Sequence, residues 1–151
     1  MPRPIRAALA ALALAACTQP PTGGTATAPA GRGGPERGGV TPPAGAVTAE
    51  QFDTTSPAER AAAAAPVSGE RLGTTVGSLG NPAEPGFWAV TGLVEQVRPG
   101  RLDYPAGGTS VQVELRPSGG EAQSGTRVSL AAMRVLGVPL TDLPELVVSG
   151  R

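Results

Sequence analysis

Few residues in this chain are equipped for chemistry. Among its 151 residues there is no histidine and no lysine, and the only cysteine is Cys17. Without histidine the chain lacks the usual neutral-pH base, the serine–histidine nucleophile pair and the commonest metal ligand. A single cysteine allows no internal disulfide and no thiolate metal site, so neither metal nor cofactor is expected. What remains lies in the C-terminal half. Asp103 and Tyr104 precede a Pro-Gly turn, where an acid and a ring could line a groove. Phe87-Trp88 could stack on a sugar ring or a peptide. Arg116, Arg127 and Arg134 could meet a carboxylate or phosphate bidentately. Each also has a plainer use: Asp103 in a turn, Tyr104 and Trp88 as core or rim, the arginines as solvated surface or local ion pairs. Trp88, Tyr104, Arg116 and Arg127 are therefore the candidates for a ligand groove, and no catalytic residue is assigned. Asp142 and Glu145 read as turn and surface residues.

Twelve-to-twelve parity of basic and acidic residues says little about partners, and no basic patch is present. Nucleic acid, which demands clustered cations to release counterions, is not an expected partner.

At the N-terminus, Arg3 and Arg6 precede an apolar run over residues 7–16, followed by Cys17. Charge, a short apolar stretch and small residues make a secretory signal, too short to span a bilayer alone. Leu14-Ala15-Ala16-Cys17 resembles the lipobox of bacterial lipoproteins. That resemblance implies cleavage between Ala16 and Cys17, a diacylglycerol on the Cys17 sulfur, and acylation of the new amino group. Two or three acyl chains, at about 0.8 kcal/mol per buried methylene, would give lasting attachment to membrane lipid. Thr18 stands where an Asp would favour inner-membrane retention in that family, which implies the outer membrane with the domain in the periplasm.

The elements that must position the candidates follow from pattern. Residues 17–47 are Pro, Gly, Thr and Ala with hardly a large apolar side chain, a composition that cannot offset its ordering entropy. They are expected to be a disordered tether, able to reach roughly 100 Å when extended. A short helical lead-in spans 48–70. Thr48 and Gln51 have capping-box spacing, and Ser56-Pro57-Ala58-Glu59 carries an N-cap, a first-turn proline and a reciprocal glutamate. Pro66 stops that helix.

A small β-rich domain is expected over 71–151. Strands are predicted at 72–79, and from Gly86 through Val97 with Gly92 as a bulge or kink. Arg98-Pro99-Gly100 is predicted to turn the chain, and Leu102 and Tyr104 then alternate with polar neighbours. Val111, Val113 and Leu115 alternate strictly with Gln112, Glu114 and Arg116, the clearest half-buried strand. Ser129 caps a helix over 130–136 that Gly137 ends, and Leu146-Val147-Val148 closes the domain. No internal repeat is visible.

Two further resemblances bear on function. From Gly86-Phe87-Trp88 through Arg134-Val135-Leu136-Gly137-Val138 to Leu143-Pro144-Glu145-Leu146 the chain resembles short bacterial lipoproteins without an established activity. Some of these carry the label D-galactarate dehydratase, which nothing in this histidine-free chain supports. Gly108-Thr109-Ser110-Val111-Gln112-Val113, Gly125-Thr126-Arg127-Val128-Ser129-Leu130 and Ala131-Ala132-Met133-Arg134-Val135-Leu136-Gly137 are similar, in order and spacing, to the double-psi β-barrel of rare lipoprotein A. That likeness implies a mainly β fold, a small double-psi-like β-barrel with one or two short helices. It also implies an acid for glycan cleavage after the first strand, but Leu115 occupies that place. Glu114 is one residue away and on the opposite face.

The function expected is a non-catalytic, outer-membrane-anchored periplasmic module that binds peptidoglycan or an envelope protein. The alternatives are a diverged, lytic transglycosylase-like barrel enzyme using Glu114 or Asp103, and a lipid-anchored subunit of an envelope complex.

Overall fold

The structure is a computed structural model describing residues 40–151. The signal peptide expected at 1–16, the expected lipidation at Cys17 and the expected tether as far as residue 39 lie outside the described residues. Residues 40–47 form neither helix nor strand, and Val40 and Val47 point into solvent.

Two short helices lead in, α1 (Ala49–Phe52) and α2 (Pro57–Ala63), and both begin on complete capping boxes. Thr48 and Ser56 accept from the backbone amides of Gln51 and Glu59, whose side chains reach back to the cap amides. Each box satisfies two of the N–H groups that a helix start leaves without partners. Helix α2 ends at Ala63, before Pro66, and Ala63 is its only buried residue.

Six strands follow: β1 (Glu70–Leu79), β2 (Trp88–Thr91), β3 (Arg98–Tyr104), β4 (Thr109–Pro117), β5 (Thr126–Val128) and β6 (Glu145–Gly150). They close into a barrel in the order β1-β5-β2-β4-β3-β6. The fold is mainly β, as the pattern of short strands and turns implies, and closure leaves no unpaired sheet edge. Exchanging β1, β2 and β3 for β4, β5 and β6 preserves every pairing. The parallel pair β1·β5 becomes β4·β2, also parallel, and the antiparallel pair β1·β6 becomes β4·β3, also antiparallel. The pairs β2·β5 and β3·β6 map onto themselves. The barrel is thus two interlocked three-strand halves, a repeat in topology that leaves no trace in the residues.

The core is the barrel interior. Leu102, Val111, Val113, Leu115, Val128, Leu146 and Val148 are wholly removed from solvent. Strand β4 alternates as its sequence demands, with Val111, Val113 and Leu115 inward. Helix α3 (Leu130–Leu136) lies against β4 and buries Leu130, Ala132, Met133 and Leu136. Its limits are those its capping residues predict: the Ser129 hydroxyl accepts from the Ala132 amide, and Gly137 ends the helix at φ +70°. A left-handed residue there costs glycine nothing.

Three local expectations are corrected. Arg98-Pro99-Gly100 does not turn; it opens β3, paired with Leu115, Glu114 and Val113. Gly100 is there for space: a Cβ would overlap Leu115 and lie 2.6 Å from the Ser149 carbonyl oxygen. The strand expected across Gly86–Val97 is only four residues long, and Gly92 starts a loop instead of bulging a strand. Leu93 and Val94 still close that end of the barrel, Val94 buried and Leu93 packed against the core. Strand β5, three residues long, has no alternation long enough to read and exists because β1 and β2 flank it.

Candidate functional site

Strand β2 sets the geometry of the candidate site. Ala89 and Thr91 point into the barrel, so Trp88 and Val90 face outward. Register places Trp88 beside Glu114, and Val90 between Arg116 on β4 and Arg127 on β5. The two arginines therefore flank Val90, their Cα atoms about 10 Å apart, two strand spacings.

Trp88 does not offer its ring to solvent. Only 2% of it is exposed, because Gly80 and the loop after β1 cover one side and Arg116 the other, 5.4 Å from the ring centroid. The indole N–H donates to the Glu84 carbonyl at 3.3 Å. The Trp88 amide donates to the Ser129 hydroxyl at 3.2 Å, and the Ser129 amide returns a bond to the Trp88 carbonyl at 2.9 Å. Ser129 thus starts α3 and fixes Trp88 with the same side chain. Trp88 is buried, in keeping with its reading as core or rim, and serves as a support beneath Arg116.

Arg116 is held on two sides. Its Nε donates to Glu114 at 2.9 Å, and its NH1 pairs with Glu84. Burial alone would favour losing the guanidinium proton, but the bonds and charges of Glu114 and Glu84 outweigh it and raise the pKa. Arg116 is a fixed cation stacked on an indole, in a position worth more than a free surface charge. Arg127 is exposed and, among the described residues, has no ion-pair partner.

The other candidates stand elsewhere. Tyr104 pairs with Thr109, seven residues back along β4 from Arg116, which is about 23 Å at the usual rise. Its ring is half-buried beside Gly107. Trp88, Arg116 and Arg127 share one outer face; Tyr104 does not join them in a groove. Asp103 is gripped by Arg101 through both oxygens, at 2.6 and 3.0 Å. Arg134, on α3, turns to the lead-in instead of an anion: NH1 reaches Asp53 at 3.1 Å and NH2 reaches Glu50 at 2.9 Å. Asp142 and Glu145 are exposed.

Sequence reading missed Glu84, which lies in a Pro-rich loop and meets Arg116 across 32 positions. It also missed Ser129 as the tie to Trp88, 41 positions away. Only its capping spacing was legible.

Among the described residues no group of three or more acidic, cysteine or histidine side chains could hold a metal, and no helix is long and apolar enough to cross a membrane. No known protein family, curated protein or solved structure matches the chain. The class of molecule is therefore the one its own geometry defines: a small closed β-barrel with a supported, arginine-bearing outer face.

Proposed function

We propose that this protein is a non-catalytic cell-envelope binding module: a lipoprotein anchored in the outer membrane through acylated Cys17, whose barrel binds peptidoglycan in the periplasm. The observation that carries the binding reading is the outer face of β2, β4 and β5. There Arg116, stacked on buried Trp88, and the unpaired Arg127 flank Val90. Arg127, exposed on that face and with no ion-pair partner among the described residues, suits a polymer whose peptide stems present carboxylates, and the paired Arg116 beside it frames the site. The anchoring reading rests on the sequence alone, on Leu14-Ala15-Ala16-Cys17 and the signal before it. Against glycan cleavage stand the two acids considered for it. Glu114 is bonded to Arg116 and Asp103 to Arg101, so the oxygens of both are engaged within the protein, whereas a general acid must lie within hydrogen-bond reach of the glycosidic oxygen.

Sedimentation of the full-length protein with purified sacculi tests the reading. Wild type should pellet with the wall, and Arg127→Glu, which touches no internal partner, should reduce the pelleted fraction several-fold. Pelleting at background levels for wild type would remove peptidoglycan as the ligand. A specific protein recovered from detergent-solubilised envelopes in its place would make the barrel an assembly subunit. In the same cells, Cys17→Ser should shift the protein out of the membrane fraction.

A further inference from the structure

We infer that residues 48–65, with α1 and α2, form a releasable strap: a lid that opens as a unit while the barrel stays closed, and that shuts over one end of the Arg116 site. The way the strap is attached points to this. Across the strap only Thr55 and Ala63 are buried and Phe52 is half-buried, so its apolar hold is small beside the barrel's own core. The rest of its hold is polar and passes through a few donors on the barrel. Arg134 of α3 clasps Asp53 and Glu50 together. The Gln112 amide on β4 donates to the carbonyls of Ala62 and Ala65 at 3.2 and 3.0 Å, catching the end of α2. Just beyond the strap, Arg101 donates to the Val67 carbonyl at 2.5 Å and makes the hinge.

Within the strap, the Arg60 guanidinium gives its NH2 to the Thr55 carbonyl at 2.8 Å, a bond that moves with the unit. Few apolar contacts and a polar clasp are the marks of a low-stability unit that unfolds before the rest.

The strap covers a defined seam. Phe52, Asp53 and Thr55 face Glu84 and Pro85 of the loop after β1, and Leu130 and Ala131 at the start of α3. Glu84 is one of the two acids that hold Arg116, and Gln112 lies on the same outward row of β4 as Glu114 and Arg116. Opening the strap therefore lengthens the exposed face of β4 and uncovers Leu130 and Ala131. The lid's use rests on reading that face as a binding surface; its opening does not.

Amide hydrogen exchange on the full-length chain tests the opening without any ligand. Amides of residues 49–65 should exchange as one block, at least about tenfold faster than those of Val111 and Val113 in β4. Arg134→Gln, which loosens the clasp, should speed that block by a further factor of about ten and leave the β4 amides unchanged. Strap and β4 amides exchanging at one rate, or accelerating together in the variant, would overturn the lid. If Arg134→Gln does not fold, exposed Glu50→Gln serves: a roughly twofold acceleration confined to 49–65 supports the lid, and no change or an equal change in β4 overturns it. Loss of sacculus pelleting with the exchange pattern intact would sink the binding reading and leave the lid standing.

Discussion

Barrel and strap are held by opposite means. The barrel encloses seven large aliphatic side chains with no solvent contact, whereas the two strap helices together bury one alanine. Burial of aliphatic surface needs no particular orientation and is indifferent to salt, and each full side chain contributes about 1.5–3 kcal/mol. Bonds from Arg134 to exposed Glu50 and from Gln112 to the end of α2 are directional and screened, and each contributes little in water; the Arg134 bond to the covered Asp53 carboxylate is the firmer part of the clasp. One chain thus carries a part that opens only globally and a part that can open alone.

The largest test of that contrast is Leu115→Ala. Leu115 is fully buried in the middle of β4, and its truncation should lower stability by about 2–5 kcal/mol, read as a fall in the denaturant midpoint. The strap and barrel signals should fall together, because the strap has nothing to rest on without β4. A barrel insensitive to this change would break the comparison.

Ser129→Ala is next. It removes the α3 cap and leaves the Trp88 amide without its acceptor, so about 1–2 kcal/mol should be lost, with a change in Trp88 fluorescence. Because Trp88 supports Arg116, sacculus pelleting should weaken in the same variant.

Acid gives the smallest effect, confined to the strap. Bonds from the Ser56 backbone amide, then from its hydroxyl, hold the Glu59 carboxyl below the usual carboxylate range. Glu50 is lowered as well, first by its own backbone amide, against a desolvation effect that raises it, and then by Arg134. A depressed carboxyl adds stability that is present above its unfolded pKa and lost as pH falls through the folded one. From neutral pH down to about 5 the strap's protection, taken relative to the intrinsic exchange rate at each pH, should hold steady, and below about 4 it should fall while that of β4 is kept. Glu59→Gln should blunt that dependence, which sharpens the assignment of the effect to the α2 cap.

Much of this structure was legible because its causes are local. Capping by Thr48, Ser56 and Ser129 acts over three residues, and Gly137 ends α3 by its own backbone freedom, so the helix starts and the end of α3 could be read directly. Strand β4 declared itself through alternation, which needs no knowledge of its neighbours. Errors fell where a local signal competed with a distant partner. Arg98-Pro99-Gly100 has the composition of a turn, but Leu115 and Ser149 require a residue without a side chain beside them, and the strand wins.

By itself the sequence determined the class of fold, the strap's capped helices, the inward row of β4 and the absence of histidine chemistry. Tertiary structure alone decided that the strands close as two interlocked halves and that Trp88 lies under Arg116. It also decided that Glu84 completes that site and that Arg134 faces the strap instead of a ligand. The physical reason is range. Caps and alternation are settled by residues three or four apart, while ion pairs across 32 or 81 positions exist only once a closed barrel has brought their strands and loops together.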